Sequence, residues 1–351
     1  MTRLVRFVVL GVALWGCRGG EHGKATEGTT RSFSYEVDAL PLLAGRVLNA
    51  AEALAEPADL RRVGSYLVVA DAYGAPPVHV IDARDGGYVD SLGMQGEGPG
   101  EFRRVWSFDT APGSPECWIY DVRLLRLTHV NLRAYLEDRS LREARQVVPA
   151  GGGLPMSPFW VNDTLLVSPG LIGGGRFARY DARGRLRDVV GEMPVAPEGI
   201  APPLWMNAVR GEARPRPDRS RIALVMNHAD RLQIYSPSGR LLAEAVGPEG
   251  YPPAPPGNDQ RNAYIDLAAT PSFIFGLYSG APSGEEDSNF GTLVHVFDWD
   301  GNFLAAFRLD APALGIEVDE EAGVLYATRH APSVAVVQYA LDLPKSAAGG
   351  R

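Results

Sequence analysis

The chain has 351 residues, 45% of them hydrophobic and 22% charged, with a formal net charge of −8. Such a composition supports a buried core and excludes wholesale disorder, and the acidic balance repels a phosphate backbone, which excludes nucleic acid as the expected partner. Glycine (40) and proline (28) are abundant, as many tight turns require, while Cys17 and Cys117 give no sign of a disulfide framework or a zinc set.

Residues 1–17 read as an export signal, with Arg3 and Arg6 ahead of an apolar core, Phe7 to Trp15, that is too short to span a bilayer. Leu14-Trp15-Gly16-Cys17 resembles the lipobox of bacterial lipoproteins, which implies a lipid on Cys17 and a mature chain that begins there. Trp15 stands where that motif usually has a small residue. Arg18 follows the cysteine where an aspartate would suggest inner-membrane retention. The expectation is therefore an outer-membrane lipoprotein of the cell envelope, facing the periplasm or the cell surface. Residues 18–32 are polar and rich in Gly and Thr, the composition of a flexible tether. The folded body is expected over residues 33–344, with 345–351 as a disordered tail.

Along the body one sentence recurs: a short apolar strand, a gap, then a second strand that ends at a Gly-type turn. Ile81, Val130, Tyr180, Tyr235, Phe297 and Tyr339 align at steps of 49, 50, 55, 62 and 42 residues. A repeat of roughly 40–50 residues made of short strands predicts propeller blades. The pairs run Tyr66–Asp71 with Val78–Gly93, Glu116–Asp121 with Leu127–Leu132, Thr164–Ser168 with 178–191, Arg221–Met226 with 232–247, Phe273–Tyr278 with 293–307, and Val324–Thr328 with 335–342. Innermost strands are expected at Val105–Thr110, Phe159–Asp163, Met206–Arg210, Tyr264–Thr270 and Gly315–Asp319. The last blade lacks a strand, which Phe33–Val37 would supply. The fold class is thus all-β, a six-bladed β-propeller closed by an N-terminal strand, and residues 46–57 form an irregular or extended lead-in.

The loop Gly93–Val105, GMQGEGPGEFRRV, resembles the G-x-G-P-G-x-F turn of NHL-type six-bladed propellers; Gly96, Gly98 and Gly100 free the backbone, Pro99 stiffens it and Phe102 plugs the space between blades. HVFDWDGNFLAAFRLD followed by GIEVDEEAGVLYAT resembles the last two blades of TolB-like six-bladed propeller lipoproteins of bacterial envelopes. This likeness covers most of residues 33–342. It implies the fold, an exported and lipid-anchored location, and a binding or scaffolding role, and it transfers no catalytic residues.

No G-x-S-x-G, H-E-x-x-H, P-loop or dinucleotide fingerprint occurs. Asp298–Gly301 matches the start of a calcium loop, but Leu309 stands where its glutamate belongs, so a hairpin turn is expected there. His79 and His295 share one register on different blades, where they cannot share a metal. The axial mouth is left as the place for a ligand. Candidate binding residues are Arg104, Trp106, Trp160, Asn207, Tyr264, Asp266 and Glu317: aromatic planes with a few charges, suited to sugar rings or peptide side chains. The first reading is a non-catalytic module, without cofactor, that binds an envelope protein, peptide or glycan. The alternative is a lactonase-like hydrolase or lyase with an axial calcium held by Asn207, Asp266 and Glu317.

Overall fold

The computed structural model describes residues 28–48, 54–141, 144–257 and 259–343. The export signal, Cys17, most of the tether and the tail at 345–351 lie outside the described residues.

Apolar and polar residues alternate through short segments separated by Gly and Asp turns, and these segments form five main sheets. The first holds Pro57–Val63, Tyr66–Asp71, Val78–Asp82 and Tyr88–Leu92. The second holds Val105–Thr110, Glu116–Asp121, Arg126–Asn131 and Gln146–Val147. The third holds Phe159–Asn162, Leu165–Ser168, Phe177–Tyr180 and Leu186–Val190. The fourth holds Gly211–Pro215, Ile222–Met226, Arg231–Tyr235 and Leu241–Val246. In the fifth, Arg261–Ala269, Phe273–Pro282 and Gly291–Asp298 lead into the 17-residue strand Phe303–Asp319, then Val324–Arg329 and Ala335–Ala340.

Each sheet opens on its innermost strand and steps outward. Neighbouring innermost strands pack together, with Pro57–Val63 lying against both Val105–Thr110 and Phe303–Asp319. The core is correspondingly split between successive sheets. Phe102, fully buried, joins Val68 and Val80 of the first sheet to Ile119 and Val130 of the second, as the glycine-rich loop predicts. Leu60, Leu67 and Ile81 meet Tyr326 and Val336, which brings the fifth sheet back to the first. The result is an all-β propeller with two short α-helices and one 3-10 turn, Val37–Ala39, among the described residues. The repeat positions Ile81, Val130, Tyr180, Tyr235, Phe297 and Tyr339 are all buried. Cys117 is buried among the apolar residues between the first two sheets, and burial pushes its thiol up to about 12.

The turns explain the repeat. Asp298 Oδ1 accepts the amides of Asp300 and Asn302 at 2.9 Å each, and Gly301 takes φ +80°. Asp181 does the same for Arg183 at 2.8 Å and Arg185 at 3.0 Å, with Gly184 at φ +79°. An aspartate that holds its own turn amides followed by a left-handed glycine makes a hairpin. Asp298–Gly301 is therefore a hairpin turn, as expected.

Three segments differ from the sequence reading. Met206–Arg210 is not an innermost strand: Pro202–Val209 is a helix, because two prolines open its first turn and Trp205, Ala208 and Val209 bury one face. The innermost strand of that sheet is Gly211–Pro215. Leu127–Leu132 is strand only to Asn131, whose side chain accepts the Ala134 amide at 3.1 Å and caps the helix Leu132–Asp138. Phe33–Val37 is not a strand. Its neighbours pair instead: Thr29–Ser32, assigned above to the tether, runs parallel to Ala243–Val246; Leu42–Leu43 runs parallel to Arg308–Leu309; Arg46–Val47 runs antiparallel to Val337–Gln338. Phe33 stacks on Phe303 with ring centres 4.4 Å apart. The N-terminal segment is thus a strap laid over the outside of the fourth and fifth sheets.

Candidate functional site

Innermost strands present alternate side chains to the propeller axis. In Pro57–Val63 this places Asp59 and Arg61 inward, in Gly211–Pro215 Glu212 and Arg214, in Arg261–Ala269 Asp266, and in Phe303–Asp319 Glu317. These six form a buried ionic cluster. Arg61 is its hub: its guanidinium lies 3.0 Å from Asp59 Oδ1, 3.6 Å from Asp266 Oδ1 and 3.8 Å from Glu317 Oε2, and donates to the Ile316 carbonyl at 3.0 Å. Arg214 adds a second cation 3.3 Å from Asp266 and 3.8 Å from Asp59. Glu212 accepts the Ser157 hydroxyl at 2.7 Å. Three carboxylates, those of Asp59, Asp266 and Glu317, thus share two guanidiniums, and Glu212 stands beside them on Ser157.

Burial disfavours the charged carboxylates. It pushes Glu212 and Glu317 up to about 7, Glu317 against the opposing field of Arg61, and it raises Asp59 and Asp266 as well. The ordinary glutamate value is 4.5, so the folded state holds protons that the unfolded chain releases between about 4.5 and 7. Stability from these groups is full at low pH and is lost as pH rises through that window. His295 has the opposite sign. Fully buried between Tyr35 (2.6 Å) and Tyr264 (3.0 Å), it is pushed down to about 3, so its contribution fades as pH falls below 6.5. Urea midpoints across pH should therefore show Glu317→Gln gaining on the wild type from about pH 5 to about pH 7.5. A constant difference would contradict a raised Glu317.

Beside the cluster, at the C-terminal ends of the innermost strands, a cavity of about 410 Å³ opens. Its charged lining is Arg61, Arg62, Asp109, Arg214, Arg219 and Glu317, with Asp319, Glu320 and Glu321 at the turn that follows. Phe108, Ala268, Ala269 and Val318 supply apolar wall, and Pro112, Pro215, Pro217 and Pro271 stand at the turns. Arg219 reaches across from the fourth sheet to Asp109 at 2.8 Å and the Thr110 carbonyl at 3.0 Å; the other Asp109 oxygen accepts the Trp160 amide of the third sheet at 2.8 Å. The lining contains no His, Cys or Ser. Ser157, paired with Glu212, is only 2% exposed, which keeps that hydroxyl–carboxylate contact from any substrate.

Of the residues picked from sequence, Asp266 and Glu317 meet, at Arg61. The rest do not join them. Arg104 is pinched between the rings of Tyr73 (5.3 Å) and Trp106 (5.5 Å), at the start of its strand and so at the opposite end of the axis from the cavity. Trp160 packs on Trp118 at 5.3 Å and under Arg145. Asn207 sits on the helix Pro202–Val209, outside the innermost strand. Tyr264 is buried against Tyr278 and His295. Trp160 and Tyr264 pack between sheets, and none of these aromatics lines the cavity. Among the described residues no three His, Cys, Asp or Glu side chains group as a metal centre, and two guanidiniums already stand among the axial carboxylates. The set does not fit the axial calcium of the alternative reading. His79 is a buried packing residue, 3.3 Å from Asp71 and edge-on to Tyr88.

Sequence reasoning missed Asp59, Arg61, Arg62, Glu212, Arg214 and Arg219. A signal existed: in ADLRRV and GEARP, charged residues alternate with small or apolar ones inside a strand-length run, and in each case the run directly precedes the first strand of a repeat pair.

No curated protein sequence matches the chain. Among solved structures, a Bacteroides fragilis protein described as exported is similar at TM-score 0.57 and 10% identity, over 89% of this chain and 98% of its own. A β-propeller domain from Myceliophteria thermophila aligns at TM-score 0.43 and 9% identity, over 82% of this chain and 96% of its own. The first of these likenesses shows the fold. The sequence model of the TolB-like 6-blade propeller-like family matches residues 44–321, most of the propeller body, and the chain belongs to that family.

Proposed function

We propose that this chain is an exported, lipid-anchored propeller of the bacterial cell envelope, and that it serves as a non-catalytic binding module for a protein, peptide or glycan. The observation that carries the reading is the cavity of about 410 Å³ on the axis, which combines apolar wall with charged groups and holds no accessible nucleophile beside a base. Export rests on residues 1–17, and the anchor on Cys17; the structurally similar Bacteroides protein, described as exported, is in line with the first. We read the eight-stranded sheet as two blades that share the long strand Phe303–Asp319, which makes six blades in all. Arg46–Val47 then completes the last of them from the N-terminal side. In this reading Arg46–Val47 takes the closing place for which Phe33–Val37 was expected. The outer membrane is the proposed site, with an envelope component as partner.

The test is a pull-down of the lipidated protein from envelope extracts, with metal content measured on the same preparation. A cavity-plugging variant, Ala269→Trp, serves as control once its thermal melt matches the wild type. A stoichiometric partner that the variant loses supports the module. Capture of the same partner by the plugged variant would remove the cavity from the reading, and a stoichiometric divalent cation would reopen the hydrolase alternative.

A further inference from the structure

The charge balance of the cavity points to the kind of ligand it takes. Each arginine that lines it is already engaged within the protein. Arg61 holds Asp59; Arg62 is ion-paired with Asp319 and donates to the Gly64 carbonyl at 3.1 Å; Arg214 holds Asp266; Arg219 holds Asp109. The acids are not all compensated. Glu317 has the Arg62 amide at 3.3 Å and Arg61 only at 3.8 Å. Glu320 accepts one backbone amide, that of Ser272, at 3.0 Å, and has no cation. Glu321 is exposed at the rim and makes no hydrogen bond or ion pair. Glu320 and Glu321, which pair with no side-chain cation among the described residues, and Glu317, which must share Arg61 with two aspartates, therefore lie along one side of the cavity, on the segment 317–321. The wall near them is apolar: Val318, Ala268, Ala269 and the ring of Pro271.

A ligand that fits presents a cation to the carboxylates and a hydrocarbon stem to the wall. An anion would meet these carboxylates while every lining guanidinium is already paired with an acid, and a neutral sugar would leave them uncompensated. The chain as a whole carries −8 and attracts cations to the mouth.

We propose that the axial cavity binds an alkylammonium or guanidinium group, in the form of a lysine or arginine side chain of a peptide segment, with Glu317, Glu320 and Glu321 as its counter-charges. This rests on the binding reading above and narrows it.

Calorimetric titration of the full mature chain tests it with four probes: acetyl-Ala-Lys-Ala-amide, the same peptide with norleucine in place of lysine, the same peptide with glutamate, and cadaverine. The lysyl peptide should bind at least about tenfold tighter than the norleucine peptide, since the two share the four-carbon stem and differ by the ammonium group alone. Glu320→Gln with Glu321→Gln, both at the rim and outside the buried cluster, should weaken the lysyl peptide about tenfold and leave the norleucine peptide unchanged. Binding of cadaverine as tight as the peptide keeps the cation site and assigns it to free amines; binding of the peptide alone assigns it to a polypeptide. Equal affinity for norleucine, or preference for glutamate, overturns the proposed ligand class. So does silence from all four probes. In each of these cases the binding reading survives if the envelope pull-down still yields a partner that Ala269→Trp loses, and both fall if it does not.

Discussion

Arg61→Met should lower the unfolding free energy by about 3–5 kcal/mol, the cost of breaking a buried ion pair from one side. Methionine matches the aliphatic stem, so little of the loss comes from packing. What remains is electrostatic. The Arg61 side chain is 5% exposed, and those of Asp59 and Asp266 are 8% exposed, so water cannot take over the role of the guanidinium. Without it, Arg214 alone faces Asp59 and Asp266, and Glu317 has only the Arg62 amide. The buried acids must then take up protons or draw water into the axis. Two further variants separate this from a packing defect. Arg61→Lys should recover only part of the loss, since an ammonium cannot face three carboxylates in a plane as a guanidinium does. Asp59→Asn added to Arg61→Met should restore some stability, because it removes one of the stranded charges. A loss for Arg61→Met below about 1 kcal/mol, the range of an exposed pair, would show that the cluster is not the hub of the axis.

The propeller was readable in the sequence because its signal is local and repeated. A blade must bury the same position each time, so Ile81, Tyr180 and Tyr339 announce themselves at a steady spacing, and each hairpin carries its own Asp or Gly. The candidate site was half readable. Asp266 and Glu317 stood out as acids inside apolar strands, but their partner Arg61 lies on a strand that sits before the first recognisable pair, where no earlier repeat frames it. Arg219 was hidden for a different reason: it belongs to a turn, and its target Asp109 is 110 residues away. The aromatics misled. Trp106, Trp160 and Tyr264 have the composition of a sugar platform, yet in a propeller the space between sheets needs large side chains as much as a mouth does. Composition cannot tell the two apart. Asn207 failed because two prolines upstream convert strand-like residues into a helix.

Removal of residues 28–47 should cost the propeller about 5 kcal/mol or more, a fall in melting temperature of roughly 10 °C or a loss of cooperative unfolding. The strap supplies three stretches of backbone pairing, on Ala243–Val246, Arg308–Leu309 and Val337–Gln338, and each covers an edge that would otherwise face solvent. It also delivers side chains. Phe33 packs on Phe297 and Phe303, with ring centres at 5.3 and 4.4 Å, and the Tyr35 hydroxyl meets buried His295 at 2.6 Å. Beyond Arg46–Val47, Leu48 is 1% exposed among Leu60, Ile81 and Val336, so the strap ends as a plug where the fifth sheet meets the first. Two point changes divide the effect. Phe33→Ala should loosen the contact with the fourth and fifth sheets at a cost of about 2–3 kcal/mol, toward the low end for an aromatic truncation because the ring is only partly buried. Gly45→Leu acts at the other end. A side chain there collides with Val337 and Tyr339, so Arg46–Val47 must lift from Val337–Gln338 while Thr29–Tyr35 stays docked. Hydrogen exchange reads the difference directly: protection should fall along Ala335–Ala340 in Gly45→Leu and along Leu241–Val246 in Phe33→Ala. Uniform protection in both variants, with a melt unchanged by the deletion, would reduce the strap to a passive tether, and the edge strand Ala335–Ala340 would then have to be stable without its N-terminal neighbour.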